Sequence, residues 1–486
     1  MRYEEIPVAA LDSVEYLPVS EGNYPMGSTL HQVVPLDLSD YGYVEDEYII
    51  SGHSKIYSWP DGEKVAKVIM ENAPYCTRIL VRKPKNPEKF SGNVIIEMMN
   101  WARYYDRSID AWGNCHEYLM ASGDAWVGVT CRAKVMDSLK TFNPERYGKL
   151  HFKNPRPEDT WNDIPQSNTY HHDFTDPWTE NGLTWDMYSQ LGMLVREQTE
   201  RNPLYGYSVK KVIGTSAIAG DMSTYVAAID PISCTQDNKP IYDGYLIFMT
   251  GAPGNVNQYE EKLHYLDERC KFNAKVPLIR VYTCGDMLGE GHHPDWALMQ
   301  RHPDMDGPDE YFRSYEIAGT GLILKYVHFC EPCEADILAS GLNCVNGRTG
   351  KRWNDEEIQT YEFPTRYPLN AAFDNLKKWI DGILPPPSMR LETVGEYPEM
   401  KLKTDELGNV MGGLRTPYLD VPAYHFRPDA SAVLLEENVL RKLYSSHKEY
   451  VERVTASAKD CVEKRTLLER DAMVIAKEAE ELKLPL

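Results

Sequence analysis

Apolar positions along the chain follow two rhythms. Between residues 47 and 100 three short runs, Glu47-Tyr48-Ile49-Ile50-Ser51, Cys76-Thr77-Arg78-Ile79-Leu80-Val81 and Asn93-Val94-Ile95-Ile96-Glu97-Met98, are separated by Pro, Gly and Asn turns and read as strands. Beyond them strands and helices alternate. Ala111 to Ser122 predicts a helix, Ala125-Trp126-Val127-Gly128-Val129 a strand, Trp185 to Glu200 a helix and Val212-Ile213 a strand. Strands recur at Gly244-Tyr245-Leu246-Ile247-Phe248, Val276 to Tyr282 and Tyr311 to Ala318. Apolar runs without a polar face, alternating with helical stretches, are what a parallel sheet covered on both sides requires. The pattern therefore predicts an α/β fold: a doubly wound, mostly parallel sheet over residues 46–383, preceded by an N-terminal extension at 1–45.

Two polar, aromatic-rich stretches, 132–182 and 252–275, are too long for ordinary connections and read as lid insertions. A helix is expected from Asn370 to Ile380, and Pro385-Pro386-Pro387 marks a stiff exit from the core. Residues 384–486 then form an extension. Its first part, 388–425, reads as a β-rich hairpin with turns at Leu407-Gly408-Asn409 and Gly412-Gly413. Its second part, Glu436 to Leu482, reads as helical, with capping boxes at Ser446/Glu449 and Thr466/Glu469 and apolar positions at helical spacing, and is expected to pack on the core.

The strongest chemical signal is Lys210-Lys211-Val212-Ile213-Gly214-Thr215-Ser216-Ala217-Ile218-Ala219-Gly220, a strand that turns at a serine into a helix. A nucleophilic serine is presented on such a strained turn, with Gly214 small enough for strand and helix to pass closely. Ile218 stands where a second glycine is usual, and the same residues also suit a strand followed by a serine-capped helix. Asp286, reached from the strand Val276–Tyr282 through Thr283-Cys284-Gly285, fits the acid of a Ser–acid–His order, and equally a turn aspartate. The oxyanion donors are expected at the amide of Ala217 and in the loop Asn100-Trp101-Ala102. Trp101, Tyr104, Tyr105, Trp161 and Trp178 would line an aromatic pocket or pack beneath a lid.

Charge narrows the partners. A formal net charge of −21 and a pI near 5.1 exclude a broad phosphate-binding face, so neither nucleic acid nor an anionic membrane is expected, and an uncharged or cationic small molecule is. The opening Met1-Arg2-Tyr3-Glu4-Glu5 lacks an apolar leader run and no later stretch is apolar enough to span a bilayer, so a cytoplasmic location is expected. Ten cysteines at irregular spacing suit reduced thiols. His328, Cys330, Cys333 and Cys344 include one Cys-x-x-Cys pair, but the second pair of a structural zinc site is missing, and no metal is expected.

The chain resembles a large bacterial and fungal family of α/β-hydrolase-domain proteins with a helical C-terminal extension. The resemblance runs over nearly the full length, through Glu47-Tyr48-Ile49-Ile50-Ser51-Gly52, Thr77-Arg78-Ile79-Leu80-Val81-Arg82, His116-Glu117-Tyr118-Leu119, Ala125–Val129, Asp186-Met187-Tyr188-Ser189-Gln190, Gly413-Leu414-Arg415-Thr416-Pro417 and Leu443-Tyr444-Ser445-Ser446-His447. It implies a serine-hydrolase site with Ser216 as nucleophile and Asp286 at the acid position. The chain departs from the family pattern after Glu316-Ile317-Ala318-Gly319-Thr320-Gly321, where Leu322 stands in place of the catalytic histidine. His328, six residues on, is the first substitute as base; His292 and His293 are the second. The expected function is hydrolysis of a carboxylic ester or lactone of a small, aromatic molecule through an acyl-enzyme, without a cofactor. The alternatives are a fold that has lost its base and binds a small molecule or acts as a lyase or cyclase, and a zinc hydrolase built on His328, Cys330 and Cys333.

Overall fold

The computed structural model describes residues 5–157, 178–217, 221–249, 253–257, 259–260, 263, 267–270, 274–288, 301–307, 310–321, 325–343, 363–395, 400–426 and 432–486. The chain divides into two compact units, one of Met1–Val276, Gly307–Tyr311 and Val327–Arg352, the other of Pro277–Asp306, Phe312–Tyr326 and Trp353–Leu486.

In the first unit seven strands share a sheet: β1 (Ser13–Leu17), β2 (Tyr43–Ser58), β3 (Lys67–Pro84), β4 (Asn93–Met98), β5 (Ala125–Val129), β6 (Lys211–Ala217) and β7 (Gly244–Phe248). Their order is β7-β6-β4-β5-β3-β2-β1. The four strands β7, β6, β4 and β5 are parallel, and β3, β2 and β1 continue the sheet antiparallel. Sequence and layering agree: β5 and β7 are buried along their whole length, as apolar runs under helices must be, whereas the solvent-facing part of the β2–β3 hairpin alternates. The helices Ala111–Ser122 and Thr184–Leu194 precede β5 and β6. The first ends at Gly123, whose φ of 76° lets its amide reach back to Leu119 and Met120.

Gly214 of β6 marks a close approach between strand and helix. A Cβ there would stand 2.8 Å from the Tyr188 hydroxyl and from the Tyr245 ring. Tyr188, on the helix Thr184–Leu194, donates to the Ile96 carbonyl at 2.8 Å and accepts from the Thr215 amide at 3.2 Å, so one side chain ties that helix to β4 and β6 together. The helix stops at Leu194 rather than Glu200 because Asn202 takes up the Val195 and Glu197 carbonyls at 3.1 and 2.7 Å. The stretch 132–182 opens with two packed helices, Ala133–Phe142 and Pro144–Tyr147, that bury Val135, Met136, Leu139 and Tyr147. Trp161 lies outside the described residues.

In the second unit β8 (Leu278–Thr283) pairs in parallel with β9 (Glu310–Ile317), Ile279 opposite Arg313 and Thr283 opposite Ile317. The helix Arg366–Ile380 begins four residues before the expected Asn370, because Pro368 sits in its first turn, where a missing amide costs nothing. Short hairpins join Thr393–Val394 to Lys401–Leu402 and Tyr424–Phe426 to Ala432–Leu434. The helices Glu437–Leu443, His447–Glu463 and Glu469–Glu481 follow, and Tyr450, Val454, Cys461, Ile475 and Ala479 form one apolar cluster with Tyr367 and Val421. Ser446 caps its helix as expected, accepting from the Glu449 amide at 3.2 Å. Thr466 does not: its hydroxyl donates to the Cys461 carbonyl at 3.1 Å, closing the preceding helix, and Leu468 holds the cap position instead. No helix among the described residues is long and apolar enough to cross a membrane.

Gly214→Val is expected to lower stability by about 1–3 kcal/mol, because the new methyl groups must displace two buried tyrosine rings. Urea unfolding measures this, and a midpoint equal to that of the parent would contradict the packing described.

Candidate active site

β4 and β6 run side by side with Met98 opposite Ser216, so their carboxyl ends are level. The loop that leaves β4 therefore lies beside the end of β6. Asn100 donates from Nδ2 to the Ala217 carbonyl at 3.2 Å, and Trp101 donates from Nε1 to Asp221 at 2.8 Å. Arg132 pairs with the other oxygen of Asp221 and lies over the Trp101 ring. Ser216 is buried at the end of β6, and its Oγ accepts from the Met222 amide at 3.3 Å. The strand continues through Ser216 and Ala217 and helix resumes at Asp221; Ile218, Ala219 and Gly220 lie outside the described residues.

The loop after β4 is closed on itself. Asn100 and Arg107 exchange backbone hydrogen bonds of 2.7 and 2.9 Å, and Asn100 Oδ1 accepts from the Ala102 amide at 3.1 Å. Thus the amides of Asn100 and Ala102 donate inside the loop. Tyr104, at φ 66°, holds a left-handed conformation uncommon for a non-glycine residue, which concentrates strain in this turn. Asp106 accepts from Arg78 at 2.9 Å, fixing the loop to β3. Trp101 and Tyr105 are buried and hydrogen-bonded, while Trp178 is well exposed.

Beneath the serine lies a pair of buried carboxyl groups absent from the sequence-based expectations. Glu97, opposite Thr215 in the register, accepts from Ser108 Oγ, the Asp110 and Trp112 amides and Trp126 Nε1 at 2.7, 3.0, 3.2 and 2.7 Å. Thr215 donates to Asp110 Oδ2, and Asp110 Oδ1 has no hydrogen-bond partner among the described residues. Burial, and then the neighbouring Glu97, push the Asp110 carboxyl well above its usual range; burial raises Glu97 too, against its four donors. A glutamate inside the apolar run of β4 is the signal that could have revealed this pair, since an isolated charge is rarely left in a covered strand.

His328 lies on the short helix Lys325–Phe329, and its Nδ1 is 3.2 Å from Glu331 Oε2. Glu331, also unforeseen, is buried and accepts from Arg107 Nε at 2.7 Å, Arg103 Nη1 at 2.9 Å and the Tyr105 hydroxyl at 3.0 Å. Burial alone would raise its pKa, but Arg107, the His328 hydrogen bond and Arg103 hold it far below the usual carboxylate range. Backbone bonds from Val33 to the Glu331 carbonyl and from Val34 to the Phe329 carbonyl anchor the segment. Cys330 approaches the Gly113 carbonyl and His116 Nδ1 at 3.9 and 3.8 Å. Among the described residues no group of three or more His, Cys, Asp or Glu is placed to hold a metal ion; Cys344 lies outside them.

Ser216, Ala217, Asn100, Trp101, Ala102 and His328 all belong to the first unit, and Asp286 to the second. Asp286 follows β8 on the helix Cys284–Leu288, where its Oδ2 accepts from the Thr283 amide and hydroxyl at 2.7 and 2.9 Å. Burial pushes its pKa up to about 6 against those two donors. Leu322, His292 and His293 lie outside the described residues.

A family model described as an alpha/beta hydrolase domain matches residues 12–477. No curated protein matches the chain. Among solved structures, the chain is similar to an esterase of the fungus Rhizomucor miehei at 8% identity and a TM-score of 0.30, covering 69% of this chain and 85% of that one. It is also similar to a glucuronoyl esterase from Solibacter usitatus at 10% identity and a TM-score of 0.28, covering 65% and 84%.

The raised pKa of Asp110 carries a sign. Its protonated form is favoured in the fold, so its contribution to stability is complete below the unfolded value of about 3.9 and is lost as pH rises toward the folded one. Asp110→Asn keeps an oxygen for Thr215 and removes the ionisation. The variant is expected to be more stable than the parent at neutral pH and to lose less stability between about pH 4 and pH 8. Urea unfolding across that range checks this; parallel curves for the two proteins would contradict it.

Proposed function

The chain belongs to the alpha/beta hydrolase domain family, and from that premise we propose that it hydrolyses a carboxylic ester or lactone of a small molecule through an acyl-enzyme on Ser216. The observation that carries the reading is the placement of Ser216 at the carboxyl end of a central parallel strand, level with Met98, with the Asn100 loop bonded to the Ala217 carbonyl beside it. Ligand sites in open α/β sheets form at such ends.

In the proposed reaction Ser216 Oγ attacks the ester carbonyl while His328 takes its proton, and the imidazolium then returns that proton to the departing alcohol. Water, deprotonated by the same imidazole, attacks the acyl-enzyme and releases the acid. Developing charge on the carbonyl oxygen falls to the Ala217 amide and to the Asn100-Trp101-Ala102 loop, which would reopen an amide to donate. Asp286 stands at the acid position by chain order. The acidic balance of the chain favours an uncharged or cationic substrate over nucleic acid or an anionic membrane. No step calls for a cofactor.

A second reading, small-molecule binding without hydrolysis, is supported by Leu322 at the family's histidine position and by the Met222 amide, which already donates to Ser216 Oγ. Turnover separates the two. The purified protein is expected to hydrolyse p-nitrophenyl esters, and Ser216→Ala to lose about 10³-fold or more in kcat/KM. Equal turnover by parent and variant would end the hydrolytic reading.

A further inference from the structure

Glu331 is more than a tie for the loop after β4. Its carboxylate is buried, and both oxygens are claimed by guanidinium donors, Oε1 by Arg107 Nε at 2.7 Å and by Arg103 Nη1 at 3.2 Å, Oε2 by Arg103 Nη1 at 2.9 Å, with the neutral Tyr105 hydroxyl also donating to Oε2 at 3.0 Å. The remaining neighbour of Oε2 is His328 Nδ1, at 3.2 Å. A carboxylate held between two guanidinium groups is ionised and can only accept, so Nδ1 must carry the proton at this contact. The basic lone pair of the ring then lies on Nε2.

The same group is bound mechanically to the serine turn. Arg107, which grips Glu331, exchanges both backbone hydrogen bonds with Asn100, and the Asn100 side chain holds the Ala217 carbonyl next to Ser216. By contrast Asp286 takes its hydrogen bonds from Thr283.

Resting on the reading of Ser216 as nucleophile and His328 as base, we infer that Glu331 is the acidic partner that orients His328, giving a Ser216–His328–Glu331 arrangement in which the acid follows the histidine by three residues. Glu331 is a positioning residue. It fixes the tautomer and balances the imidazolium, while the serine proton travels to Nε2 and the Nδ1 proton stays in place. The chain order Ser, His, acid allows the base to be relocated from the position of Leu322 together with its own partner, rather than stretched to reach an acid elsewhere.

The test uses the full chain and a fluorophosphonate probe, with the site of labelling read by peptide mapping and the tautomer of His328 read by ¹⁵N NMR. Glu331→Gln is expected to slow labelling of Ser216 by about 10²-fold or more and to leave the His328 tautomer no longer fixed, because an amide can donate as well as accept. Glu331→Asp is expected to recover part of both, which a purely structural tie would not require. Asp286→Asn is expected to cost less than Glu331→Gln. If the parent is labelled at Ser216 but Glu331→Gln reacts as fast at every pH and leaves the His328 tautomer unchanged, the inference is overturned while the hydrolase reading stands. A parent that is never labelled removes the hydrolase reading and this inference with it. Should Glu331→Gln fail to fold, the parent spectrum decides: a neutral His328 protonated on Nδ1 supports the arrangement, and one protonated on Nε2 overturns it.

Discussion

The register between β4 and β6 is the constraint on which the site depends. With Met98 opposite Ser216, the two central strands end close together, and the chain leaving β4 lies beside the end of β6. Asn100 is then close enough to bond the Ala217 carbonyl, and Trp101 to bond Asp221 at the start of the following helix. A slip of one residue would turn Ser216 to the opposite face of the sheet, because side chains alternate along a strand. Gly214 and Tyr188 guard against that slip. The glycine leaves room for the tyrosine, whose hydroxyl bonds both strands and can do so in this register.

Around this frame the protein keeps several charges out of water, and the manner of their pairing separates scaffold from candidate chemistry. Arg78 is enclosed by Glu47 and Asp106, and Arg146 completes the cluster on Glu47. Such groups resist rearrangement, since removing one partner strands the other in a medium that solvates it poorly. Glu97 is held by four neutral donors and supports the turn below the serine, while Asp110 is incompletely satisfied and favours its protonated form. Glu331 differs from both. It has two arginines to keep it ionised and an imidazole within hydrogen-bond distance.

Much of this architecture was legible in the sequence where burial leaves a periodic trace. The runs Asn93–Met98, Ala125–Val129 and Gly244–Phe248 and the helix Ala111–Ser122 occupy the residues their apolar patterns indicate. The long β2–β3 hairpin was visible only at its buried centre, because its outer parts alternate with solvent and carry polar residues. Thr466 shows the limit of a local signature: its hydroxyl satisfied an earlier carbonyl instead of a later amide, a choice made by the preceding helix. The strand that ends at Ser216 and Ala217 was readable from the apolar Val212-Ile213 run before the serine. Glu331, Arg103 and Arg107 were not, since their meeting joins segments more than two hundred residues apart and nothing in either segment announces the other.

The central claim is that the oxygen of one serine at the end of β6 takes the acyl group, and the most direct measurement is the mass of the protein caught during turnover. Rapid acid quenching of a reaction with a slowly deacylating ester, followed by peptide mapping, should place one acyl adduct on the peptide containing Ser216. An adduct on another residue, or ester hydrolysis with no covalent intermediate on Ser216 at any time, would contradict the account.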